Sequence, residues 1–260
     1  MKPLAELDPR GLRAVLLDID ETLTTSGKLT SDAYAALDRL HAAGRIVVPV
    51  TGRPAGWCDH IARMWPVDAV VGENGAFYFY LAEGRLNKRF VEDAAARSEK
   101  RARLDAVARR ILAQVPGSAL AADQAYRETD LAIDYCEDVP ALPLDAAERI
   151  AALMRQSGLE AKISSIHVNG WFGEYDKLAT SRLLCAERFG LDLDRSNREF
   201  VFVGDSPNDA PMFSFFRNSV GVANVRRFQG HFAALPEYVT RESSGAGFVE
   251  LVRHLLDAGQ

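Results

Sequence analysis

Acidic residues follow two apolar runs in this sequence within a few positions. Asp18 and Asp20 come directly after one run, and Asp205 and Asp209 come shortly after another. Carboxylates this close repel one another unless a cation or a shared proton compensates. A set of carboxylate oxygens suits Mg²⁺, a hard ion that retains water and binds phosphate oxygens. Asp18 and Asp20 alone could simply cap a turn, but together with the second segment they favour a magnesium site.

Further polar residues follow two more predicted strands. They are Thr51, Gly52 and Arg53 after one strand, and Glu73 and Asn74 after the next. In open parallel sheets ligands bind at the carboxyl ends of the strands, so all four clusters should meet at one edge. A phosphoryl group needs donors, and the hydroxyl of Thr51 and the backbone N–H groups around Gly52 would supply them. For Arg53 a structural role competes with a phosphate clamp, and for Glu73 a simple turn competes with a role in binding.

The elements that carry these clusters alternate between short apolar runs and helix-like segments. Predicted strands cover 14–17, 46–50 and 68–71, and a helix that begins at Thr30 or Ser31 ends at Gly44. This alternation is typical of βαβ units with a parallel sheet. Pro49 fits the second strand poorly, because it cannot donate to a sheet ladder. The same rhythm returns with a helix over 177–189, strands over 200–203, 219–222 and 238–240, and a helix over 248–256.

The pattern changes in the middle of the chain. Strands are predicted over 86–90, 131–135 and 161–169, separated by a long charged helix over 93–115 and a second helix over 145–157. We therefore predict an α/β fold: a doubly wound parallel sheet formed by 1–83 and 173–260, with an inserted α+β module over 84–172.

Composition excludes several classes of protein. The chain has 260 residues, 31 Lys and Arg against 36 Asp and Glu, and a net charge of −5, which provides no general attraction to nucleic acid or anionic lipid. Its three widely spaced cysteines indicate neither disulfides nor zinc. The first residues contain no apolar signal segment, and no stretch is apolar enough to span a membrane, so we expect a cytoplasmic protein.

Four motifs, in order, resemble those of the haloacid dehalogenase-like hydrolases. They are Asp18-Ile19-Asp20-Glu21-Thr22, Thr51-Gly52-Arg53, Lys177, and Gly204-Asp205-Ser206-Pro207-Asn208-Asp209. The resemblance implies a Rossmann-like core, and the position of the insert resembles the type IIB (C2B) cap. That class includes Cof-like phosphatases and the sucrose-, trehalose- and mannosyl-3-phosphoglycerate phosphatases. It implies a Mg²⁺-dependent phosphoric monoester hydrolase acting on a small phosphorylated metabolite, expected here to be a sugar phosphate, as a monomer or homodimer.

The resemblance also assigns roles. Asp18 is the expected nucleophile, which forms an aspartyl-phosphate, and a Mg²⁺ ligand. Asp20 is the expected general acid and base, with its backbone carbonyl on the metal. Asp205 completes the metal ligands, and Asp209 holds a metal-bound water or orients a ligand.

Lys177 is expected to neutralise the phosphoryl group. A cation at the start of a helix opposes the helix macrodipole, so an isolated lysine there would ordinarily be a surface residue. Its place in the motif set favours function, and Asn208 is expected to position Lys177 or a phosphate oxygen.

Substrate selection is expected to lie in the insert. Alternation places His167, Asn169 and Trp171 on one face of its last strand, where they could bind hydroxyls and stack on a sugar ring. Arg127 and Glu128 could present charge to a carboxylated substrate. A solvated sheet face is the competing interpretation. We expect His41, His60, His231 and His254 to be structural or exposed.

Two alternatives stay open at the level of sequence. A phosphotransferase of the phosphomannomutase type would use the same residues, and Asp20 does not distinguish the two reactions. A non-catalytic phosphometabolite sensor should have lost Asp18, Asp20, Lys177 or Asp205, and the chain retains all four.

Overall fold

The computed structural model describes residues 1–164, 166–228, 230 and 233–257. The helices in these ranges are α1 Ser31–Ala42, α2 Ala55–Met64, α3 Ala94–Gln114, α4 Leu144–Gln156, α5 Lys177–Phe189, α6 Ala210–Phe215 and α7 Ser244–Asp257. The strands are β1 Lys2–Pro3, β2 Ala14–Leu17, β3 Ile46–Pro49, β4 Val70–Gly72, β5 Phe77–Ala82, β6 Arg85–Phe90, β7 Ala119–Leu120, β8 Asp130–Asp134, β9 Glu160–Ile163, β10 His167–Trp171, β11 Phe200–Gly204, β12 Asn218–Gly221 and β13 Tyr238–Val239. None of the helices in the described ranges is long and apolar enough to cross a bilayer.

The main sheet is parallel and has the order β1-β13-β12-β11-β2-β3. Its central strands β2 and β11 are buried along their whole length, which explains their continuous apolar runs. Residues of α1 and α7 pack on one face of the sheet, and residues of α5 and α6 pack on the other. The predicted doubly wound α/β fold is confirmed.

Pro49 occupies a position in β3 where a backbone N–H is not needed. Along the strand, the N–H of Val50 bonds to β2, whereas those of Val47 and Thr51 point to the opposite side, toward 68–71. Pro49 shares the outward direction of Val47 and Thr51, because alternate residues of a strand point the same way. On that side, among the residues that the structure describes, the only pairing with the β4 segment is an isolated bridge just beyond the end of β3, Val50 to Val71, so the missing donor breaks no ladder.

A three-stranded antiparallel sheet, β4-β5-β6, extends the core beyond β3. β5 was not predicted from the sequence, and β6 was assigned to the insert. Leu86 and Phe90 of β6 pack instead with the buried apolar residues around α2. The boundary expected at residue 84 lies in the β5–β6 turn, and we propose that the insert begins after Phe90.

The insert, called the cap below, is a four-stranded antiparallel sheet of order β7-β8-β10-β9 with α3 and α4 packed on one face. The single strand predicted over 161–169 is wrong: it is a hairpin, β9 and β10. Ser164 begins the turn, with both its N–H and its hydroxyl donating to the His167 carbonyl. The other face of the sheet meets the core.

Candidate active site

Three buried carboxylates meet at the carboxyl edge of the main sheet. Asp18 follows β2, Asp205 follows β11, and Asp209 lies in the short turn before α6. One oxygen of each lies within 4.8 Å of the others. Asp209 is held in place because its Oδ2 accepts from the N–H of Asp205 at 3.2 Å. The adjacency of β2 and β11 in the sheet produces this cluster from residues that are far apart in the sequence.

Lys177 places its ammonium inside the carboxylate cluster. Its Nζ lies 2.8 Å from Oδ1 of Asp18 and 2.8 Å from Oδ1 of Asp209. Burial lowers the pKa of Lys177, but the two carboxylates outweigh burial and hold that pKa above its usual value. Burial raises the pKa of Asp18 to about 7, although the Lys177 charge opposes the rise. A permanent cation therefore stands beside the expected nucleophile.

Asp205 is the carboxylate that most needs a further partner. Its Oδ2 accepts from Asn224 Nδ2 at 3.1 Å, whereas its buried Oδ1 has no hydrogen-bond partner among the described residues. Burial and the neighbouring Asp18 raise the pKa of Asp205 well above its usual value. Hard carboxylate oxygens, one of them unpartnered, are the donor set that Mg²⁺ prefers, so the cluster fits this ion. Asn224 was not predicted as a site residue, although it follows β12 and therefore lies, like the other clusters, after the carboxyl end of a parallel strand.

The Asp20 side chain lies outside this cluster and pairs with Arg53. Nε of Arg53 donates to both Asp20 oxygens at 3.1 and 3.0 Å, and Nη2 donates to Oδ1 at 2.8 Å. Nη2 also donates to Glu137 of the cap at 3.0 Å, and the guanidinium stacks 4.3 Å from the Trp57 ring centre. Arg53 therefore orients Asp20 and links it to the cap, which favours the structural alternative over a phosphate clamp.

The loop after β3 has the donors expected of a phosphate site. Thr51 is buried, and its Oγ1 accepts from the N–H of Arg53 at 3.0 Å, which leaves the hydroxyl proton free to donate. Gly52 lines the cleft beside Asn74, and a Cβ on Gly52 would lie 3.2 Å from the Asn74 amide. Nδ2 of Asn74 is buried and, in the described part of the chain, has no partner. This amide is available to a substrate oxygen.

Asn208 makes no hydrogen bond to Lys177, contrary to one of the two expected roles. Its Oδ1 accepts from the hydroxyl of Ser206 at 2.7 Å, and the side chain lines the cleft. Asp209, the next residue along the chain, reaches Lys177 instead. The other expected role of Asn208, positioning a phosphate oxygen, stays a prediction.

Two of the three cap residues singled out on β10 face the cleft. His167 Nε2 lies 2.8 Å from Oε2 of Glu137, and Asn169 Nδ2 donates to Asp130 at 3.1 Å. Both are buried rather than solvated. The cleft between cap and core encloses only about 20 Å³, roughly the space of one water.

Trp171 is not part of the cleft, so its expected stacking on a substrate is wrong. The indole ring is 1% exposed and stacks on Tyr175 at a centroid distance of 5.9 Å, and its Nε1 donates to the Tyr175 carbonyl. Alternation does place it on the face of His167, but at that end of β10 the face is covered by the apolar residues around α2. Trp171 therefore packs between the cap and the core instead of facing a substrate.

Arg127 enters the cleft, while the side chain of its neighbour Glu128 is 49% exposed at the surface. The Arg127 guanidinium is bound by Asp123 and Asp130, and Nη1 donates to the Gly52 carbonyl at 2.9 Å. These acids and Glu137 were missed by sequence reasoning, because only the packing of the cap brings them to the cleft. Of the other histidines, His254 contacts the Leu7 carbonyl, and His231 lies outside the described residues.

Comparison with protein families gives a match over most of the chain. A family model described as haloacid dehalogenase-like hydrolase matches residues 12–215. That range includes all four motifs and the whole cap.

Two curated relatives cover nearly the full length. A protein of Methanococcoides burtonii named phosphoglycolate phosphatase is 25% identical over an alignment of 256 residues, and the alignment covers 95% of this chain and 98% of that protein. A protein of Haloarcula marismortui with the same name is 29% identical over 240 residues, 92% of this chain and 95% of that protein.

Solved structures share the fold. A protein of Thermoplasma acidophilum aligns with a TM-score of 0.69 and 19% identity, covering 94% of this chain and 98% of that one. The C-terminal domain of the trehalose-6-phosphate phosphatase of C. albicans aligns with a TM-score of 0.68 and 14% identity. The alignment covers 95% of this chain and 93% of that one. The neighbours are consistent with the expected type IIB cap.

Proposed function

The chain belongs to the haloacid dehalogenase-like hydrolases, and on that premise we propose that it is a Mg²⁺-dependent phosphatase that hydrolyses a small phosphate monoester through an aspartyl-phosphate. One observation carries the proposal. Lys177 Nζ lies 2.8 Å from Asp18, which is itself one of the three clustered carboxylates that fit Mg²⁺.

The chain's own residues suit each step of this chemistry. Asp18 attacks phosphorus through a carboxylate oxygen, the bond to the leaving oxygen breaks, and Asp20 donates the proton that this oxygen takes up. Asp20 then takes a proton from the water that cleaves the aspartyl-phosphate. In the structure Arg53 orients the Asp20 carboxylate beside the site. Asp18, Asp205 and the Asp20 carbonyl would hold Mg²⁺, with Asp209 beside them, and the ion would supply charge neutralisation at the phosphoryl oxygens.

Donors around the phosphoryl group complete the site. Lys177 supplies a full positive charge, while the Thr51 hydroxyl and the Asn74 amide supply uncharged donors. These donors stabilise charge strongly because the site is buried. They are also already oriented, so they need not reorient during the reaction.

The substrate we propose is a small phosphorylated hydroxy acid, with 2-phosphoglycolate as the first candidate. The names of the two curated relatives support this choice over the sugar phosphate that the motifs first suggested. We propose a cytoplasmic location, in keeping with such a substrate.

The test is phosphate release from 2-phosphoglycolate, glucose 6-phosphate and sucrose 6-phosphate, with Mg²⁺ and with EDTA. We expect turnover only with Mg²⁺, highest on 2-phosphoglycolate, and inhibition by beryllofluoride. The Asp18→Asn variant should lose at least about a thousandfold in kcat, since the nucleophile is removed. Full turnover by this variant would refute the assignment of Asp18 as the nucleophile. Conversion of a hexose 1-phosphate to a hexose 6-phosphate by the wild type would indicate a phosphotransferase instead.

A further inference from the structure

Glu73 is a core carboxylate that lies wholly inside the joint between core and cap. The residue follows β4 and is 0% exposed. Its φ is +43° and that of Asn74 is +56°, so two consecutive non-glycine residues adopt the left-handed conformation. Such backbone costs free energy and persists only where surrounding contacts hold it.

On the core side, this turn is bonded to the phosphate loop. The N–H of Glu73 donates to the Arg53 carbonyl at 3.1 Å, and the N–H of Asn74 donates to the Thr51 carbonyl at 3.1 Å. Oε1 of Glu73 also accepts from the N–H of Ala55, the first residue of α2, at 2.9 Å. The carboxylate is therefore fixed relative to the groups that would bind phosphate.

On the cap side, the same carboxylate accepts three consecutive backbone N–H groups. Oε1 accepts from Glu128 at 2.9 Å, and Oε2 accepts from Thr129 at 2.7 Å and from Asp130 at 3.3 Å. The Thr129 hydroxyl also donates to Oε2. Together with Ala55 these groups surround one buried carboxyl group with donors, which reduces the cost of burying it.

The segment bound by Glu73 is connected to the cap residues that line the cleft. Arg127 immediately precedes it and reaches the Gly52 carbonyl. Asp130 ends it and holds both Arg127 and Asn169. A shift of residues 128–130 away from Glu73 would therefore move the cap groups that face the substrate.

We propose that Glu73 is a positioning residue: its carboxylate docks residues 128–130 of the cap and sets the register between the cap residues of the cleft and the phosphate loop. The docking itself stands on the contacts above, whereas its effect on turnover rests on the proposed function.

The first experiment measures docking without any substrate. Hydrogen exchange of the amides of Glu128, Thr129 and Asp130 is compared in wild type, Glu73→Gln and Glu83→Gln. Glu83 is the matched control, an exposed glutamate that also has a positive φ, +52°. We expect at least tenfold faster exchange in Glu73→Gln and no change in Glu83→Gln. Unchanged exchange in Glu73→Gln would overturn the proposal.

A second variant covers the case in which Glu73→Gln does not fold. Thr129→Val removes one donor from the cap side and leaves Glu73 and its core contacts intact. We expect faster exchange at residues 128–130 and unchanged exchange at Ala55; equal acceleration at both places would show loss of structure rather than of docking and would count against the proposal.

Kinetics separate positioning from general support of the fold. For Glu73→Gln we expect kcat/KM to fall at least tenfold on 2-phosphoglycolate but less than threefold on p-nitrophenyl phosphate, whose leaving group needs neither protonation nor cap contacts. Equal losses on both substrates would contradict a positioning role. Absence of turnover in wild type would refute the proposed function alone, because hydrogen exchange still decides the docking.

Discussion

At the scale of single residues, opposite charges are concentrated where the chemistry is proposed. Lys177 is a buried cation at a helix N-terminus, a position that the helix dipole disfavours. Asp18 and Asp209, each 2.8 Å away, compensate for that placement. The same contacts that make the lysine tolerable also hold it beside the phosphoryl site.

Removing this cation should cost both activity and stability. In Lys177→Met we expect kcat to fall by roughly 10²–10³, as for loss of one preorganised charge stabiliser. The free energy of unfolding should fall by about 3–5 kcal/mol, because two buried carboxylates lose their partner. Steady-state kinetics and urea unfolding measure the two effects, with Lys88→Met, at a side chain 43% exposed, as the control. Wild-type kcat in Lys177→Met would contradict the assigned role.

Glu137 should make part of the stability depend on pH. Its contact with His167, aided by Arg53, lowers the pKa of Glu137 to about 2. A carboxyl with a lowered pKa stabilises the folded state above its unfolded pKa of 4.5, and this contribution is lost as pH falls toward 2. In urea unfolding between pH 5 and pH 3, wild type should lose more stability than Glu137→Gln. Parallel curves for the two proteins would refute this linkage.

At the scale of elements, the turn after β4 packs closely against the start of α5. Gly75 has a φ of +109°, and its carbonyl accepts from the Thr180 hydroxyl of α5. A Cβ at Gly75 would overlap the backbone carbonyl of Asp176 and lie 2.8 Å from the backbone nitrogen of Lys177. The turn that carries Glu73 and Asn74 thus also packs against the helix that carries Lys177.

Gly75→Ala should therefore displace the start of α5, while Gly84→Ala should not. Both glycines have positive φ, but a Cβ at Gly84 meets no atom within 4 Å. We expect Gly84→Ala to lower stability by about 1 kcal/mol, the cost of strained backbone alone. Gly75→Ala should lower it by more than about 3 kcal/mol and reduce kcat at least tenfold. Thermal unfolding and kinetics of the pair test this, and equal losses would contradict it.

Hydrophobic periodicity did not predict the strands whose boundaries depend on pairing with neighbouring strands. The run Phe77–Ala82 forms a strand because β4 and β6 pair with it, yet in sequence it merges with the turn before it. The hairpin of β9 and β10 lacks a glycine or proline at its turn, so its two strands look like one. By contrast, the bounds of α5 are those predicted, because Asp176 caps it and Gly190, at φ +66°, ends it.

At the scale of the whole molecule, Mg²⁺ should stabilise the fold. The ion would bind only where β2 and β11 place Asp18 and Asp205 together, so binding favours the folded state. At a Mg²⁺ concentration of 100 times Kd, we expect the free energy of unfolding to rise by about 2.7 kcal/mol. This corresponds to a rise in Tm of roughly 5–10 °C. Differential scanning calorimetry with Mg²⁺ or with Na⁺ at equal ionic strength measures it. The shift should vanish in Asp205→Asn; its persistence there would place the ion elsewhere.

The sequence alone determined the parallel α/β core and the residues at its carboxyl edge. Hydrophobic runs, caps and stop signals are local, and the carboxyl ends of parallel strands must share one edge, so the order of the elements is enough to group Asp18, Thr51 and Asp205. Only the tertiary structure decided how the cap meets that edge. It buried Trp171 in the joint, brought Glu137 to Arg53, and placed Glu73 against residues 128–130. These contacts join segments distant in sequence through the packing of two separate sheets, and no periodicity within either sheet encodes them.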